Sequence, residues 1–339
     1  MSSLLEVTDL SKTFKVRRRG KKQQVAAVRG VSFTLDESTT LGLVGESGSG
    51  KSTAARLMLR LIPADSGSVM LRGTDVMAAG TKQMRTIQRS MPMVFQDPYS
   101  SLDPTWLIGD IVTEPEMLAD TLTRGNRRTR AKELIDLVGL PSSFVDRYPY
   151  ELSGGQRQRI AIARALGCKP ELVVADEAVA ALDVSTRASI IGLLQDLQQE
   201  TGVGYLFISH DLALVQTISD YVAVMYLGQI VEFGPTADVY STPGHPYTRA
   251  LIDAVPVPDP VVQRQKERIR VTGEIPSALN IPSGCTFRTR CPFATDLCTQ
   301  QEPPRIQVGE EQFATCHYAT PYHGTSQSSG VLQRTEGNS

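Results

Sequence analysis

The sequence Leu-Gly-Leu-Val-Gly-Glu-Ser-Gly-Ser-Gly-Lys-Ser-Thr occupies residues 41–53 and sets the class of fold. Within it, Gly45, Gly50, Lys51 and Ser52 form the pattern G-x-x-x-x-G-K-S/T, with a strand-like apolar run before it and helix-forming residues after it. Glycines let consecutive backbone N–H groups turn toward one anion, and the N-terminus of the following helix favours negative charge there. The stretch therefore predicts a phosphate-binding loop in an α/β fold.

Two side chains of this loop predict the kind of ligand. Lys51 is placed to reach the β- and γ-phosphates of a nucleotide, and Ser52 is placed to give its hydroxyl oxygen to Mg²⁺, which prefers oxygen ligands. The alternative, a glycine/serine turn that binds nothing, is disfavoured because a strand and a helix flank the loop correctly. The predicted nucleotide-binding residues are Gly45, Glu46, Ser47, Gly48, Ser49, Gly50, Lys51, Ser52 and Thr53.

Length, composition and charge narrow the class of protein. At 339 residues the chain is long enough for about two domains, and its 41% hydrophobic content is ample for their cores. A net charge of −1 argues against a general nucleic-acid-binding protein, which usually carries a strongly basic face. No apolar run approaches the ~18 residues of a membrane span, and the first residues lack the features of a signal peptide. We expect a cytosolic or peripheral protein with no nucleic-acid partner.

Strand-like segments precede the loop. Residues 4–10 and 25–35 have the alternation of strands and predict an antiparallel β region. Phe14 lies just beyond the first segment, and an aromatic ring there could stack on a nucleotide base. The same ring could be ordinary core, which periodicity alone favours. Phe14 is a candidate base-binding residue.

The segment after the loop contains one polar candidate and then helices. Residues 93–95 are strand-like, Gln96 ends the run, and Pro98 stops it. An amide oxygen at a strand end can orient a water molecule or Mg²⁺, although one glutamine alone means little. From residue 106 to about 140 the apolar residues recur with helical spacing, which predicts a helical region.

A second glycine-rich helix start follows. The sequence Leu-Ser-Gly-Gly-Gln at residues 152–156 runs without a break into a predicted helix. Such a turn is another anion-binding helix end. Two phosphate-competent helix starts in one chain imply either two nucleotides or one nucleotide shared between chains. The candidate binding residues here are Ser153, Gly154, Gly155 and Gln156.

Acidic and imidazole side chains end the next two strands. Asp176 and Glu177 follow the apolar run 172–175, at the strand edge where ligands bind in parallel α/β sheets. The Asp176 carboxylate is suited to coordinating Mg²⁺. The Glu177 carboxylate is suited to activating a water molecule as the nucleophile. Asp183 follows before a helix. His210 could bond a γ-phosphate or the attacking water, although a single histidine at a strand end is more often structural.

In this order the motifs resemble those of the ATP-binding-cassette (ABC) family. Residues 45–52 resemble its Walker A motif, residues 152–156 its signature, and Asp176 with Glu177 its Walker B motif and catalytic glutamate. The resemblance implies a P-loop NTPase: a RecA-like core with an antiparallel β subdomain and a helical subdomain. It also implies head-to-tail dimers that hold ATP between one Walker A motif and the other chain's signature. The remaining correspondences are Gln96 with the Q-loop, Asp183 with the D-loop and His210 with the switch histidine.

The sequence departs from the family pattern beside the carboxylates. The family commonly has proline after the glutamate and serine before Ala-Leu-Asp, whereas Ala178 and Ala180 stand here. Both carboxylates stay in place, so only the local turn is in doubt. The resemblance implies catalytic roles for Gln96, Glu177 and His210, and Mg²⁺ binding by Ser52, Gln96 and Asp176.

Further segments are similar to the ATPase subunits of dipeptide, oligopeptide and nickel importers. These are residues 96–104, residues 242–248 and the C-terminal cysteine cluster. The implied function is ATP hydrolysis that powers uptake of a peptide or related solute, on the cytoplasmic face of the membrane. The implied partners are a second ATPase subunit, identical or paralogous, two transmembrane permease subunits and an extracytoplasmic solute-binding protein. An exporter ATPase and a soluble ABC ATPase are the alternatives.

Four of the five cysteines lie close together in the C-terminal part. Because cytosolic disulfides are disfavoured, the cluster suggests a metal. Five, six and seventeen residues separate these cysteines in turn, unlike the close pairs of a zinc ribbon. A four-iron four-sulfur (4Fe-4S) cluster needs four thiolates without so strict a spacing, and the importer resemblance suggests the same cluster. Zinc and free thiols are the alternatives, with His317 as a substitute ligand. The cysteines are Cys285, Cys291, Cys298 and Cys316.

The predicted division of the chain follows from these segments. Residues 1–260 form the nucleotide-binding domain, with a helical subdomain at about 98–168. A proline-punctuated and charged stretch marks the boundary to a small C-terminal extension at 261–322, which carries the cysteines. Residues 323–339 are polar and glycine/serine-rich, and we expect them to be disordered.

Overall fold

Long antiparallel strands begin the fold. The computed structural model describes residues 3–18, 21–255, 271, 273–274 and 276–320. β1 (Ser3–Arg18) and β2 (Lys21–Asp36) pair antiparallel along their length. With β4 (Ser66–Leu71) and β5 (Thr74–Asp75) they form a four-stranded sheet in the order β2-β1-β4-β5. The antiparallel β region predicted from the sequence is confirmed.

A larger sheet carries the phosphate-binding loop near its centre. Its strands are β3 (Thr40–Val44), β6 (Met93–Val94), β7 (Leu172–Asp176), β8 (Gly204–Ser209), β9 (Tyr221–Tyr226), β10 (Gln229–Pro235), β11 (Arg305–Gln307) and β12 (Phe313–Thr315). Their order is β11-β12-β10-β9-β3-β8-β7-β6. Pairing is parallel from β9 to β6 and antiparallel from β9 to β11. Because parallel strands are covered on both faces, β3 and β7 are buried throughout.

Alternate residues of the central strands pack into two different cores. Leu43 and Leu206 belong to the core that contains the four-stranded sheet. Their neighbours Val44 and Phe207 belong to the core that contains most of the helices. Successive side chains of a strand point to opposite faces, so one apolar run serves both cores. Each fully buried side chain of this size contributes roughly 2 kcal/mol.

Helices occupy the connections between the strands. The described α-helices are α1 (Lys51–Met58), α2 (Thr81–Ser90), α3 (Pro98–Ser101), α4 (Ile108–Leu118), α5 (Arg127–Leu137), α6 (Gly154–Leu166), α7 (Val184–Thr201), α8 (Leu212–Ile218), α9 (Thr236–Ser241), α10 (Pro246–Ala254) and α11 (Asp296–Gln300). Short 3₁₀ turns lie at Ser142–Asp146 and Pro149–Glu151. α3 to α6 pack on one another in the stretch for which the sequence predicts a helical subdomain. None of the described helices is long and apolar enough to cross a membrane.

The C-terminal region extends the larger sheet. β12 pairs with β10, placing Ala314 opposite Glu232 and Phe313 opposite Phe233. β11 then pairs with β12 and forms the sheet edge. The proposed boundary at residue 260 and the tail 323–339 lie outside the described residues.

Candidate functional site

The phosphate-binding loop joins the buried strand β3 to α1. Gly45 and Gly50 have φ angles of 153° and 105°, which side-chain-bearing residues rarely adopt. A Cβ atom on Gly45 would also collide with the carbonyl oxygen of Met225, and one on Gly50 with that of Ala27. The loop therefore needs glycine at both ends of its tight turn.

Lys51 spans this loop from the first residue of α1. Its Nζ donates hydrogen bonds to the carbonyl oxygens of Gly45, at 2.7 Å, and Glu46, at 3.0 Å. The residue is only 4% exposed. Burial lowers the pKa of Lys51, while Glu177, Asp176 and Glu46 act in the opposite direction. The ammonium is thus held beside a loop whose shape suits phosphate.

Ser52 and Asp176 meet at the end of the sheet. The Ser52 hydroxyl donates a hydrogen bond of 2.8 Å to Oδ1 of Asp176, across 124 positions of sequence. Burial raises the pKa of Asp176, and the hydrogen bond from Ser52 acts against that rise. A hydroxyl and a carboxylate that touch beside a phosphate-binding loop are a donor set suited to Mg²⁺.

Glu177 and His210 lie on the neighbouring strand ends. Glu177 has a φ of 47°, an uncommon conformation for a residue other than glycine, and its N–H donates to the carbonyl of Ile208 at 2.9 Å. Its Oε1 lies 3.4 Å from Nδ1 of His210. Both residues line a cavity of about 410 Å³ together with Gly45 and Glu46. Strained backbone at such a position is typical of functional sites.

Gln96 and Phe14 lie apart from these contacts. Gln96 is exposed just beyond β6. Phe14 is half-buried on β1 opposite Val25, with the Lys12 ammonium 5.8 Å from its ring centroid. No hydrogen bond between described residues joins either side chain to the phosphate-binding loop. Their roles at a nucleotide therefore stay predictions.

The second glycine-rich helix start is bonded to itself. Ser153 is the N-cap of α6: its Oγ accepts from the Gln156 N–H at 3.3 Å, and Oε1 of Gln156 accepts from the Ser153 N–H at 2.9 Å. Gly155 packs so closely on Thr186 that a Cβ atom would collide with that side chain. Among the described residues, no hydrogen bond or ion pair joins residues 152–156 to residues 45–53.

Asp183 caps the neighbouring helix. Its carboxylate accepts hydrogen bonds from the Thr186 N–H at 2.9 Å and from the hydroxyls of Ser185 and Thr186. These bonds lower the pKa of Asp183 well below its usual range. The carboxylate fixes the start of α7 beside the start of α6.

Two residues at the phosphate-binding loop were missed by reasoning from the sequence. The hydroxyl of Tyr247 accepts a hydrogen bond from the Glu46 N–H at 3.0 Å. Arg290 pairs with the Glu46 carboxylate at 2.6 Å. Tyr247 lies in segment 242–248, which is similar to importer ATPase subunits. No local sequence pattern, however, relates either Tyr247 or Arg290 to the loop.

The four clustered cysteines line one small cavity. They share its walls with His245, Phe287 and His317. Burial raises the pKa of Cys291 to about 12 and that of Cys316 to about 11. The donor set is that of an iron–sulfur or zinc site. In the described part of the chain, however, no three His, Cys, Asp or Glu side chains are grouped closely enough to hold a metal ion.

Family comparisons agree with this geometry. Residues 28–180 match the family described as ABC transporter, and residues 231–298 match the family described as oligopeptide/dipeptide transporter, C-terminal region. The probable peptide ABC transporter ATP-binding protein y4tS of Sinorhizobium fredii is 49% identical over 322 residues, covering 94% of this chain and 91% of the relative. The oligopeptide transport ATP-binding protein AppF of Bacillus subtilis is 46% identical, covering 93% and 97%.

Solved structures give the same fold. The dimeric post-hydrolysis structure of the ATP-binding cassette MJ0796, bound to ADP and phosphate, matches with a TM-score of 0.61 and 27% identity. It covers 68% of this chain and 98% of that cassette. The fold class predicted from the sequence is confirmed. The chain belongs to the ABC transporter family, as an ATP-binding subunit that hydrolyses ATP.

Proposed function

We propose that this chain is the ATPase subunit of an importer for peptides or a related small solute. The main support is that five candidate side chains converge at one end of the larger sheet: Lys51, Ser52, Asp176, Glu177 and His210. The cargo class is supported by the match to the oligopeptide/dipeptide transporter C-terminal region and by the names of y4tS and AppF. An exporter ATPase and a soluble ABC ATPase are less well supported, since neither accounts for that C-terminal match.

In the proposed reaction, Lys51 binds the β- and γ-phosphates of ATP. Ser52 and Asp176 hold Mg²⁺, which when bound neutralises charge on the phosphates. The Glu177 carboxylate accepts a hydrogen bond from the attacking water and polarises it, while His210 orients that carboxylate and faces the γ-phosphate. Most of the acceleration in such a site comes from electrostatic positioning of the phosphoryl group.

The remaining candidate residues have supporting roles in this proposal. Gln96, at the exposed end of β6, contributes its amide oxygen to Mg²⁺ or the attacking water. Phe14 stacks on the base. Asp183 holds the start of α7 against the signature helix, as its capping bonds support.

The signature helix start acts on the nucleotide of a second ATPase subunit. Its Gly-Gly turn is exposed at Gly154 and is not bonded to this chain's own loop. The dimeric form of MJ0796 supports a two-chain site. The second subunit is a copy of this chain or a paralogue. One nucleotide shared between chains accounts for two anion-binding helix ends in each chain.

Membrane subunits dock, in this proposal, on a groove beside Gln96. Contiguous exposed apolar patches are uncommon on soluble proteins and mark interaction sites. The exposed side chains of Leu61, Phe95 and Leu118 line one groove of about 670 Å³. Phe95 adjoins Gln96, so docking there can reach the nucleotide site. The ATPase then lies on the cytoplasmic face as a peripheral subunit beneath two permease subunits, which receive solute from an extracytoplasmic binding protein.

Purification of the assembled complex tests this function. The tagged chain, co-expressed with its gene neighbours, should co-purify with two multispanning membrane proteins. In proteoliposomes, solute-loaded binding protein should raise its ATPase activity. The Glu177→Gln variant is the matched control, since it should assemble but not hydrolyse. Solute export would favour the exporter, and a soluble complex with DNA or ribosomes would favour a non-transport ATPase.

For the cysteine cavity we propose a structural 4Fe-4S cluster. The convergence of four thiols on one cavity supports it. Anaerobically purified protein should contain iron and sulfide and absorb visible light. Cys298→Ser should lose the iron, while Cys168→Ser, outside the cavity, should keep it. Zinc without iron would identify the alternative metal, and a colourless metal-free protein would refute both.

A further inference from the structure

The C-terminal region contacts the phosphate-binding loop at Glu46. The Arg290 guanidinium donates two hydrogen bonds to the Glu46 carboxylate, from Nη1 to Oε2 at 2.6 Å and from Nη2 to Oε1 at 2.9 Å. The arginine side chain is 10% exposed and the glutamate side chain 26%. A bidentate pair that is largely shielded from water is stronger and more directional than an ordinary surface ion pair. The contact therefore fixes the Glu46 side chain.

A second contact fixes the backbone of the same residue. The Tyr247 hydroxyl oxygen accepts a hydrogen bond from the Glu46 N–H. The Tyr247 ring is 1% exposed and packs on Tyr226 and Phe287, with ring centroids 4.7 Å and 5.4 Å apart. Tyr247 and Arg290 follow Glu46 by 201 and 244 positions. Glu46 is thus held by C-terminal residues at both its backbone and its side chain.

The turn that carries Arg290 also lines the cysteine cavity. The backbone N–H groups of Arg290 and Cys291 both donate to the Phe287 carbonyl, at 2.9 Å and 3.0 Å. Phe287 and Cys291 are walls of that cavity, and Phe287 also contacts Tyr247. Arg290 therefore shares one hydrogen-bonded turn with the wall of the cysteine cavity.

The charge of Glu46 makes this contact important for an anionic ligand. Glu46 is close enough to Lys51 for its carboxylate to act on the lysine charge. Without Arg290, it would place an uncompensated negative charge at the start of the loop that binds phosphate. In a partly buried site, such a like charge opposes anion binding.

We propose that Arg290 is a positioning residue for the phosphate-binding loop. It neutralises Glu46 and fixes the start of the loop, so that affinity for ATP depends on the conformation of the cysteine-bearing turn. This inference rests on the proposed nucleotide-binding function of the loop and adds a second region of the chain to it.

Nucleotide titration of the full chain tests the role of Arg290. MgATP binding is measured by calorimetry in a Glu177→Gln background, which prevents hydrolysis. Arg290→Gln should raise the Kd about tenfold, because the negative charge of Glu46 is then uncompensated. The double variant Glu46→Gln/Arg290→Gln should recover most of the affinity lost in Arg290→Gln, because the charge is gone and the two amides can still bond. Arg305→Gln removes an exposed cation of the C-terminal region that lies on β11, outside the cysteine cavity, and it should bind like the parent.

Steady-state kinetics and the double variant distinguish a positioning role of Arg290 from a purely structural one. With Glu177 intact, Arg290→Gln should raise KM and leave kcat within about twofold, since Arg290 touches no reacting atom. An unchanged Kd in Arg290→Gln would overturn the proposal. So would a double variant that binds as weakly as the single variant, because the loss would then be structural. A parent chain that binds no MgATP would instead refute the proposed function.

The dependence on the cysteine-bearing turn has its own test. Cys291→Ser should weaken MgATP binding in the parent and have little effect in the Glu46→Gln/Arg290→Gln background. Equal effects in the two backgrounds, or no effect in either, would show that the turn does not act through Arg290.

Discussion

The starts of α1 and α6 are alike in sequence and different in surroundings. Each places a glycine-rich turn before a helix, where free N–H groups and the helix dipole favour an anion. At the start of α1, Ser52 of the helix lies beside Asp176 and Glu177 from the end of β7. Tyr247 and Arg290 support the loop. Around the start of α6, the N-cap bonds come from within the motif itself.

This difference shows how much of an anion site a helix start supplies alone. The N–H groups attract a phosphate. Side chains from other segments are needed to bind Mg²⁺, to orient the attacking water and to balance the charge. At α1 these come from the same chain. At α6, in the proposed dimer, they come with the nucleotide of the other chain. The following variants test this contrast, beginning with the largest expected effect.

Glu177→Gln should lower kcat about a thousandfold, because the amide cannot polarise the attacking water as a carboxylate does. The Kd for MgATP should stay within about twofold, since Lys51 and Asp176 are intact. ATPase assays with parallel calorimetry measure both. Glu171→Gln, a half-buried glutamate just before β7, is the control and should keep full turnover. Substantial hydrolysis by Glu177→Gln would remove Glu177 from its proposed role.

Lys51→Ala should raise the Kd for MgATP about a hundredfold, because it removes the charge-assisted bonds to the phosphates. Calorimetry on the isolated chain is the measurement. Lys132→Ala, an exposed cation on α5, should bind like the parent. If Lys51→Ala and Lys132→Ala bound MgATP equally well, Lys51 would add nothing to phosphate binding at the start of α1, and the contrast with the start of α6 would fail.

Ser153→Asp should lower turnover of the assembled transporter about tenfold by placing a negative charge beside the other subunit's ATP. Aspartate caps helices as well as serine, so α6 should stay folded. MgATP binding to the isolated chain should not change, because this chain's own site does not include Ser153. Ser142→Asp, at a 3₁₀ turn, is the matched control. Weakened binding in the isolated Ser153→Asp chain would contradict the contrast.

His245 tests the support beneath the loop and has the smallest expected effect. Its Nδ1 accepts from the Tyr247 N–H at 3.0 Å, and burial lowers its pKa to about 3. The unfolded histidine titrates near 6.5, so this contribution to stability is full above that pH and is lost as the pH falls toward 3. The slope reaches about 1.4 kcal/mol per pH unit for one proton.

His245→Asn should retain the helix cap and remove this slope. Denaturant unfolding between pH 6.5 and 3 measures the difference from the wild type, which isolates the imidazole from the nearby buried Glu232. Identical pH dependence in the two proteins would show that His245 is not buried in its neutral form beneath the loop.

Spacing in the sequence was enough to predict which candidate side chains meet at one edge of the larger sheet. Asp176 and His210 lie at strand ends, Lys51 follows β3 across one loop, and β3, β7 and β8 run parallel in one sheet. Because the carboxyl ends of parallel strands meet at one edge, a correct strand assignment brings the side chains together. The Ser52–Asp176 and Glu177–His210 contacts agree with that expectation.

The same reasoning could not predict the C-terminal contacts. Arg290 meets Glu46 across 244 positions, and no periodicity relates two residues so far apart. β11 and β12 have three residues each, too few to show alternation, and they join the sheet through the pairing of β12 with β10. The clustering of the cysteines in the sequence agrees with the cavity that they share, but it could not predict how far burial raises the pKa of Cys291.

The sequence by itself determined the phosphate-binding loop, the signature helix start and the order of the catalytic candidates. Each is a local pattern of glycine, cap and strand end, whose geometry is set within a few bonds. Only the tertiary structure decided that one helix start is surrounded by charges of its own chain, and that Tyr247 and Arg290 hold Glu46. Such contacts depend on how β10, α10 and the cysteine-bearing turn pack together, and packing of distant segments is not encoded in any single stretch.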